Sequence, residues 1–464
     1  MAAIAMPASA AFHDDDASHV HEHAEAKPVA EADAHRPSGL PDRIILTFTG
    51  DPARTQAVTW RTAVTGAKAI AQIARADAAP DFVQNAKTAV ATTEVLESDL
   101  NPAEYHSAVF TDLDPRTLYA YRVGDGVNWS EWVHFRTASV EPEPFSFLYF
   151  GDAQNDIKSM WSRVIREAYT EASRSRFIIH AGDLINRANR DAEWGEWFGA
   201  GGWVNAMVPS VPAPGNHEYE KAPEGSGLKG RVSRHWRPQF ALPTHGPEGL
   251  EETAYFIDYQ GTRIIALNSN EKQEEQAAWL RTVLKDNPNR WTVITFHHPI
   301  YSLAKERDNP ELRKLWQPIF DEFRVDLVLT GHDHTYGRSG LVGASSSNVP
   351  TGTRVAEGGT VYVVSVSGPK MYELNAGQDW TRRKAENTQL FQVITIDGPT
   401  LKFAARTATG EIYDAFELRK RPGQINEMIE KVPATPERLR PKKAVAAAIT
   451  PAPAAVPIAV PAGR

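Results

Sequence analysis

Residues 145–154 read FSFLYFGDAQ. A mostly apolar run of this length, closed by turn chemistry, is how a buried strand of a parallel sheet is written. The run delivers Asp152 to a loop, with Gln154 two places on. The same grammar recurs four times downstream. FIIHAGDLIN (177–186) ends in Asp183 and Asn186, and PSVPAPGNHE (209–218) in Asn216, His217 and Glu218. WTVITFHHP (291–299) carries His297 and His298, and VDLVLTGHDH (325–334) carries His332, Asp333 and His334. In open α/β sheets ligands gather beyond the carboxyl ends of the strands, so five strand ends can converge on one cleft.

Helical period fills the intervals. MWSRVIREAYTEA (160–172) and EEQAAWLRTVLKD (274–286) place apolar residues at three- and four-residue spacings. Alternation of this kind predicts an α/β domain. After Gly358 strand-like runs dominate again: TVYVVSV, LFQVITI and LKFAAR. In front, residues 41–138 read as an all-β sandwich. Its short β-rich runs (RIILTFT, AVTWR, AIAQIA, YHSAVF, LYAYRV, WVHFRT) are separated by Gly, Pro, Asp and Asn, and Trp60 is a core aromatic. EPEPF at 141–145 reads as a linker. Residues 1–40 are expected to be disordered: 13–37 are acidic and His-rich without period, and the start MAAIAMPASAAF reads as a truncated export signal. That reading predicts a secreted or periplasmic protein, and a soluble one otherwise. Residues 431–464, rich in Pro and Ala, are expected to be an extended tail.

The bulk numbers limit function. A chain of 464 residues with 42% hydrophobic residues can bury large cores. Its net charge of −8, with no basic block, argues against nucleic acid as partner. It has no Cys, which excludes disulfides, thiolate zinc sites and Cys nucleophiles. No stretch approaches the roughly 18–20 apolar residues of a membrane span.

The ligand set at the strand ends is oxygen and imidazole nitrogen, which suits zinc, manganese, iron, cobalt or nickel rather than calcium or soft copper. There are more candidate ligands than one tetrahedral metal needs, so two metals are the simpler account. Taken singly, an Asp after a strand is commonly a helix cap. Together and in this order, the five stretches resemble the calcineurin-like metallophosphoesterase superfamily. The motif blocks Gly-Asp, Gly-Asp, Gly-Asn-His-Glu, His-x-Pro and Gly-His-x-His stand here as Gly151-Asp152, Gly182-Asp183, Gly215-Asn216-His217-Glu218, His297-His298-Pro299 and Gly331-His332-Asp333-His334. TDLDPRTLYAYRVG (111–124) resembles the end of a fibronectin type III-like module, as purple acid phosphatases carry. HWRPQFALP (235–243) is similar to their Arg-Phe-x-x-Pro stretch.

The resemblance covers about residues 41–420. It implies a fibronectin III-like sandwich followed by an α/β/β/α metallophosphoesterase domain at 145–420. It further implies a hydrolase of phosphate esters, acid-phosphatase-like, in which water attacks phosphorus at a pair of divalent metals (Mn, Zn or Fe). Asp152 and His334 would hold the first metal, Asn216, His297 and His332 the second, and Asp183 would bridge them. His217 would assist the leaving group, with Glu218 orienting its imidazole. Arg338 is a candidate substrate contact, and His298 reads as a supporting residue. Two positions depart from the family. Purple acid phosphatases place a Tyr where Asn186 stands, and the wider superfamily places a His where Gln154 stands; the amide oxygen of Gln154 can serve as a neutral metal donor. The alternatives are a phosphodiesterase acting on nucleotides or lipid head groups and, in another class, a catalytically inactive binding or adhesion protein.

Overall fold

The computed structural model describes residues 27–222, 230–342, 359–375, 380–421 and 423–440. Three sheets among them carry the architecture. The strands Phe145–Phe150, Ile178–Ala181 and Ser210–Ala213 lie parallel in the first. Thr262–Ala266, Trp291–Thr295, Leu327–Thr330 and Val361–Val364 lie parallel in the second. Every residue of these strands is buried except Ser146, which is partly covered. That explains why they read as apolar runs rather than alternating ones. The inner faces of the two sheets share one core, in which Phe147, Ile179, Val211, Ile264, Val293 and Leu329 belong to a single cluster. Helices Ser162–Glu171 and Asp191–Gly201 cover the first sheet; Gln273–Lys285 and Pro310–Glu322 cover the second. The layering is therefore α/β/β/α.

The N-terminal module is a strand-rich sandwich, as predicted. Trp60 is fully buried, with its ring 5.2 Å from that of His106. At the 111–124 turn the hydroxyl of Tyr119 accepts from the amide of Asp114 at 2.9 Å, closing the corner that the Leu113-to-Tyr119 pattern announces. The module is not a separate bead on a linker. Its strand Asp42–Thr47 pairs in parallel with Ser210–Ala213 through Thr47 and Ser210, so one sheet of eleven strands runs through both parts.

An ionic knot seals the junction. Asp191, 1% exposed, accepts from Arg43 at 2.7 and 2.9 Å and from Arg61 at 3.4 Å, with His235 Nε2 3.4 Å away. Burial alone would raise the pKa of Asp191. The hydrogen bond from His235 and the charges of Arg43 and Arg61 overcome it and hold the carboxyl well below the usual carboxylate range. Its contribution to stability is therefore complete above the unfolded value of about 3.9 and is lost only in strong acid. Asp191→Ala leaves two buried guanidinium groups without their shared partner. We expect it to lower stability by about 3–5 kcal/mol, the scale for breaking a buried pair, read as the midpoint of urea unfolding at neutral pH.

Three boundaries differ from the sequence reading. Residues 27–40 are placed: Glu31–Ala34 forms a helical turn, and the carbonyl of Ala32 accepts from Asn101 at 2.9 Å. At the other end the ordered chain passes residue 420, because Glu427–Glu430 adds a strand to the large sheet. Residues up to 440 then line its flank, with Glu386 donating its amide to Arg438 O at 2.7 Å. Short polar segments pair with distant partners here, which composition does not reveal. The export-signal segment and residues 441–464 lie outside the described residues. Among the described residues no helix is long and apolar enough to cross a membrane.

Candidate metal centre

The carboxyl ends of the two central sheets point to one place. Asp152, Asp183 and Asn216 follow strands of the first sheet; His297, His332 and His334 follow strands of the second. Two triads form among the described residues, Asp152 with Asp183 and His334, and His297 with His298 and His332. Within each, one ligand-capable atom per residue lies within 4.8 Å of the others. Backbone strain concentrates on the same residues. Asp152, Asp183, His332 and His334 have φ of 40°, 52°, 72° and 48°, a left-handed conformation that side-chain-bearing residues rarely adopt. Such strain persists only where the surroundings over-determine it, and it clusters at functional sites.

The motif glycines let backbone and carboxylate meet. A Cβ on Gly331 would stand 2.5 Å from Asp152 Oδ2, and one on Gly215 would collide with Asp183 Oδ1. Any side chain at either position would displace a carboxylate.

Asp183 sits at the centre. Its Oδ1 accepts from the amide of His217 at 2.9 Å. Its Oδ2 lies 3.1 Å from His297 Nε2 on one side and 2.9 Å from Gln154 Nε2 on the other. His297 Nε2 in turn lies 3.1 Å from both Asn216 Oδ1 and His332 Nδ1. Gln154 Nε2 lies 2.9 Å from His334 Nε2, which is 3.5 Å from Asp152 Oδ1. One carboxylate oxygen thus links the two donor groups that the motifs separate.

The donor set fits metal cations. His297 Nδ1 donates to Ala181 O at 2.9 Å and His334 Nδ1 to Lys370 O at 2.8 Å. A carbonyl partner on one ring nitrogen fixes the tautomer and aims the other lone pair inward. Here both Nε2 atoms face carboxylate oxygens in a buried pocket, and such an approach calls for a proton or a metal cation between them. Burial holds His334 down to about 3 and His332 lower still, so their nitrogens stay free to ligate. Burial would also lower His297, but Asp183 and Asp152 beside it raise it to about 9, the mark of a strongly anionic surrounding. Gln154 is fully buried, and its Oε1 is without a hydrogen-bond partner. Nε2 is the atom turned to Asp183 and His334, so the amide must flip for its oxygen to serve as a metal donor there.

Two sequence-predicted roles change. Glu218 does not orient His217. Its carboxylate accepts the amides of Asp183 and Leu184 at 2.8 Å, Ile185 at 3.3 Å and Gly215 at 2.7 Å, bracing the two ligand loops together. Burial, with Asp183 close by, pushes its pKa up to about 7. The imidazole of His217 is held instead by the carbonyl of Asn186, 2.6 Å from Nδ1, and its Nε2 is 3.9 Å from Asp183 Oδ2. Adjacent residues in a tight turn point apart, so sequence adjacency gave the wrong pairing. Arg338 is not a substrate contact either. It is 0% exposed and forked onto Asp414 at 2.8 and 2.9 Å and onto Glu430 at 2.8 and 2.9 Å. Those carboxylates come from the C-terminal strands, which a motif search does not inspect.

His298 joins the triad of His297 and His332, and Ser269 Oγ is 2.8 Å from its Nδ1. Sequence reasoning named Asp333 among the strand-end residues but gave it no role. Its carboxylate accepts from Ala304 N at 3.1 Å and Ser302 Oγ at 3.2 Å, tying the ligand loop to 302–304. Its place between two motif histidines was the available signal. His217 and Asn216 line a cavity of about 480 Å³ that also borders Asp99 of the β module. A larger cavity of about 910 Å³ lies wholly within that module, remote from these residues, and its lining includes no candidate metal ligand.

Comparison with known proteins finds relatives for both parts of the chain. Residues 41–137 match the purple acid phosphatase N-terminal domain, and residues 145–336 match the calcineurin-like phosphoesterase family. An uncharacterized protein of Mycobacterium tuberculosis is 29% identical over 317 residues, 58% of this chain and 59% of that protein. A purple acid phosphatase of Glycine max is 25% identical over 261 residues, 53% of this chain and 55% of that one. The chain thus aligns with somewhat more than half the length of each relative. Among solved structures, a purple acid phosphatase from seeds of yellow lupin, Lupinus luteus, superposes with a TM-score of 0.69 at 18% identity, covering 82% of this chain and 75% of the lupin chain, which is a likeness of fold. Residues 145–336 thus form a calcineurin-like phosphoesterase domain, preceded at 41–137 by an N-terminal domain of the purple acid phosphatase kind.

Proposed function

We propose that the chain hydrolyses phosphate monoesters with a pair of divalent metal ions. One observation carries the reading: Asp183 Oδ2 lies between His297 and Gln154, and so between the two donor groups. Asp183 would bridge the ions. Asn216, His297 and His332 would hold one of them; Asp152, His334 and the amide oxygen of Gln154 would hold the other. Bound there, the ions would supply positive charge for the phosphoryl oxygens and acidify a water towards a pKa of about 7.

The chain's own residues supply the rest. The carbonyl of Asn186 fixes the His217 ring, whose Nε2 lies 3.9 Å from Asp183 Oδ2. His217 Nε2–H gives its proton to the departing ester oxygen, so the alcohol leaves neutral. Glu218 and the glycines hold the loops at the close spacing this needs. The intact ligand set disfavours an inactive adhesion protein. The test is a screen of mono- and diesters on metal-loaded protein. Turnover of monoesters supports the proposal, and turnover of diesters alone would replace it with a diesterase.

Asn186 carries a spectroscopic prediction. Its backbone N–H donates to Glu193 at 2.8 Å and its backbone carbonyl holds His217, while its side chain is an amide, so this position offers no phenolate. Iron-loaded protein is therefore expected to be colourless, without the visible phenolate-to-iron band. A strong band in its absorption spectrum would contradict the divalent assignment.

A further inference from the structure

Beside the candidate ligands lies a cationic platform that the chemistry above does not use. Arg307 Nη1 donates to the carbonyl of His332 at 2.9 Å. The ring of Tyr372 packs 4.6 Å from that of His334, and the carbonyl of Lys370 is the one that fixes His334. The guanidinium of Arg307 lies 4.7 Å from the centre of the Tyr372 ring and the ammonium of Lys370 5.6 Å. Both cations are thus within a side chain's reach of two candidate ligands.

The platform is fixed by backbone. Ala304 and Leu374 form an antiparallel bridge. Lys305 donates its amide to Glu373 O at 2.9 Å and Asn375 to Leu303 O at 2.8 Å. Tyr372 donates to His334 O at 3.2 Å, and the Asp333 carboxylate anchors the amide of Ala304. The two segments therefore keep a constant position relative to the ligand loop.

Among the described residues its charge has no carboxylate within ion-pair distance. Arg307 and Lys370 are half-buried, and among the described residues no carboxylate pairs with either. Arg307 Nε and Nη2 and Lys370 Nζ have no hydrogen-bond partner there. The Tyr372 ring holds both cations in place without neutralising them. Two guanidinium donors left free in a fixed fork match a carboxylate or phosphate. Two cations that lack a paired carboxylate among the described residues, beside the candidate ligands His332 and His334, suit an anionic partner.

We propose that Arg307 and Lys370 form a subsite for a second anion of the substrate, so that preferred esters carry a carboxylate or a further phosphate close to the scissile phosphate. This rests on the phosphoesterase reading. Metals held by the candidate ligands would bind the reacting phosphoryl group, and the platform would take the other charge.

Two phosphonates that cannot be hydrolysed provide the test. Phosphonoacetate carries a second anion; ethylphosphonate does not. Binding of each to the metal-loaded protein is measured by calorimetry and as competitive inhibition, for wild type, Arg307→Gln and Lys370→Gln. Wild type is expected to favour phosphonoacetate by about tenfold or more, the scale of a hydrogen bond to a charged group. Each substitution is expected to shrink that ratio, and added salt to shrink it further. An equal weakening of both phosphonates would mean that the cations serve the scissile group or the fold, and would overturn the proposal. Equal wild-type affinity for the two, with esters still turned over, would overturn it alone. No binding and no turnover of any ester would overturn it together with the phosphoesterase reading.

Discussion

Asp183→Asn is expected to abolish most turnover, by on the order of 10²–10³-fold, the scale of losing one electrostatic stabiliser of a transition state. It should also lower metal content while leaving the fold intact. The substitution is nearly isosteric, and Asn tolerates the left-handed backbone that Asp183 adopts at φ 52°. Oδ1 can keep the amide of His217 as an amide oxygen. What disappears is the negative charge at Oδ2, the atom between His297 and Gln154. A neutral amide cannot hold two cations together. Far-ultraviolet circular dichroism and the urea midpoint report the fold, and elemental analysis reports the metal. Full rate and full metal in this variant would remove the bridge from the account.

His217→Ala is expected to behave differently. The side chain is about a quarter exposed on the cavity wall and is not among the donors grouped with the metals. Metal content should stay at the wild-type level, while turnover falls on the order of 10²–10⁴-fold, the range for losing a general acid. The loss should shrink for esters of very acidic alcohols, which leave without a proton. A leaving-group series on wild type and variant measures this. An equal loss across the series would make His217 a positioning group rather than an acid.

The reach of the sequence had physical limits. Buried parallel strands read as apolar runs, and their carboxyl ends carry the polar residues that such runs cannot absorb. Asp152, Asp183, Asn216, His297, His332 and His334 were therefore visible as candidates before any coordinates, and the structure brings them together. Side-chain direction was not visible. Arg338 stands four residues after His334, yet it lies in the strand Tyr336–Ser339 and turns into the core towards Asp414. Glu218 adjoins His217 in the chain but faces the amides of the neighbouring loop. Long-range pairing was hidden too. Nothing local marks Thr47 as the partner of Ser210, or Asp191 as the shared anion of Arg43 and Arg61. The platform of Arg307, Lys370 and Tyr372 comes from two loops that meet only through backbone pairing, so neither loop carries its signal alone.

The most direct test of the central claim is metal stoichiometry, determined by elemental analysis on purified wild type after loading with manganese, zinc or ferrous iron and removal of free metal. The account predicts two ions per chain, with the count reduced in Asp183→Asn. A saturating count of one ion in wild type, or two ions retained in Asp183→Asn at undiminished affinity, would contradict it.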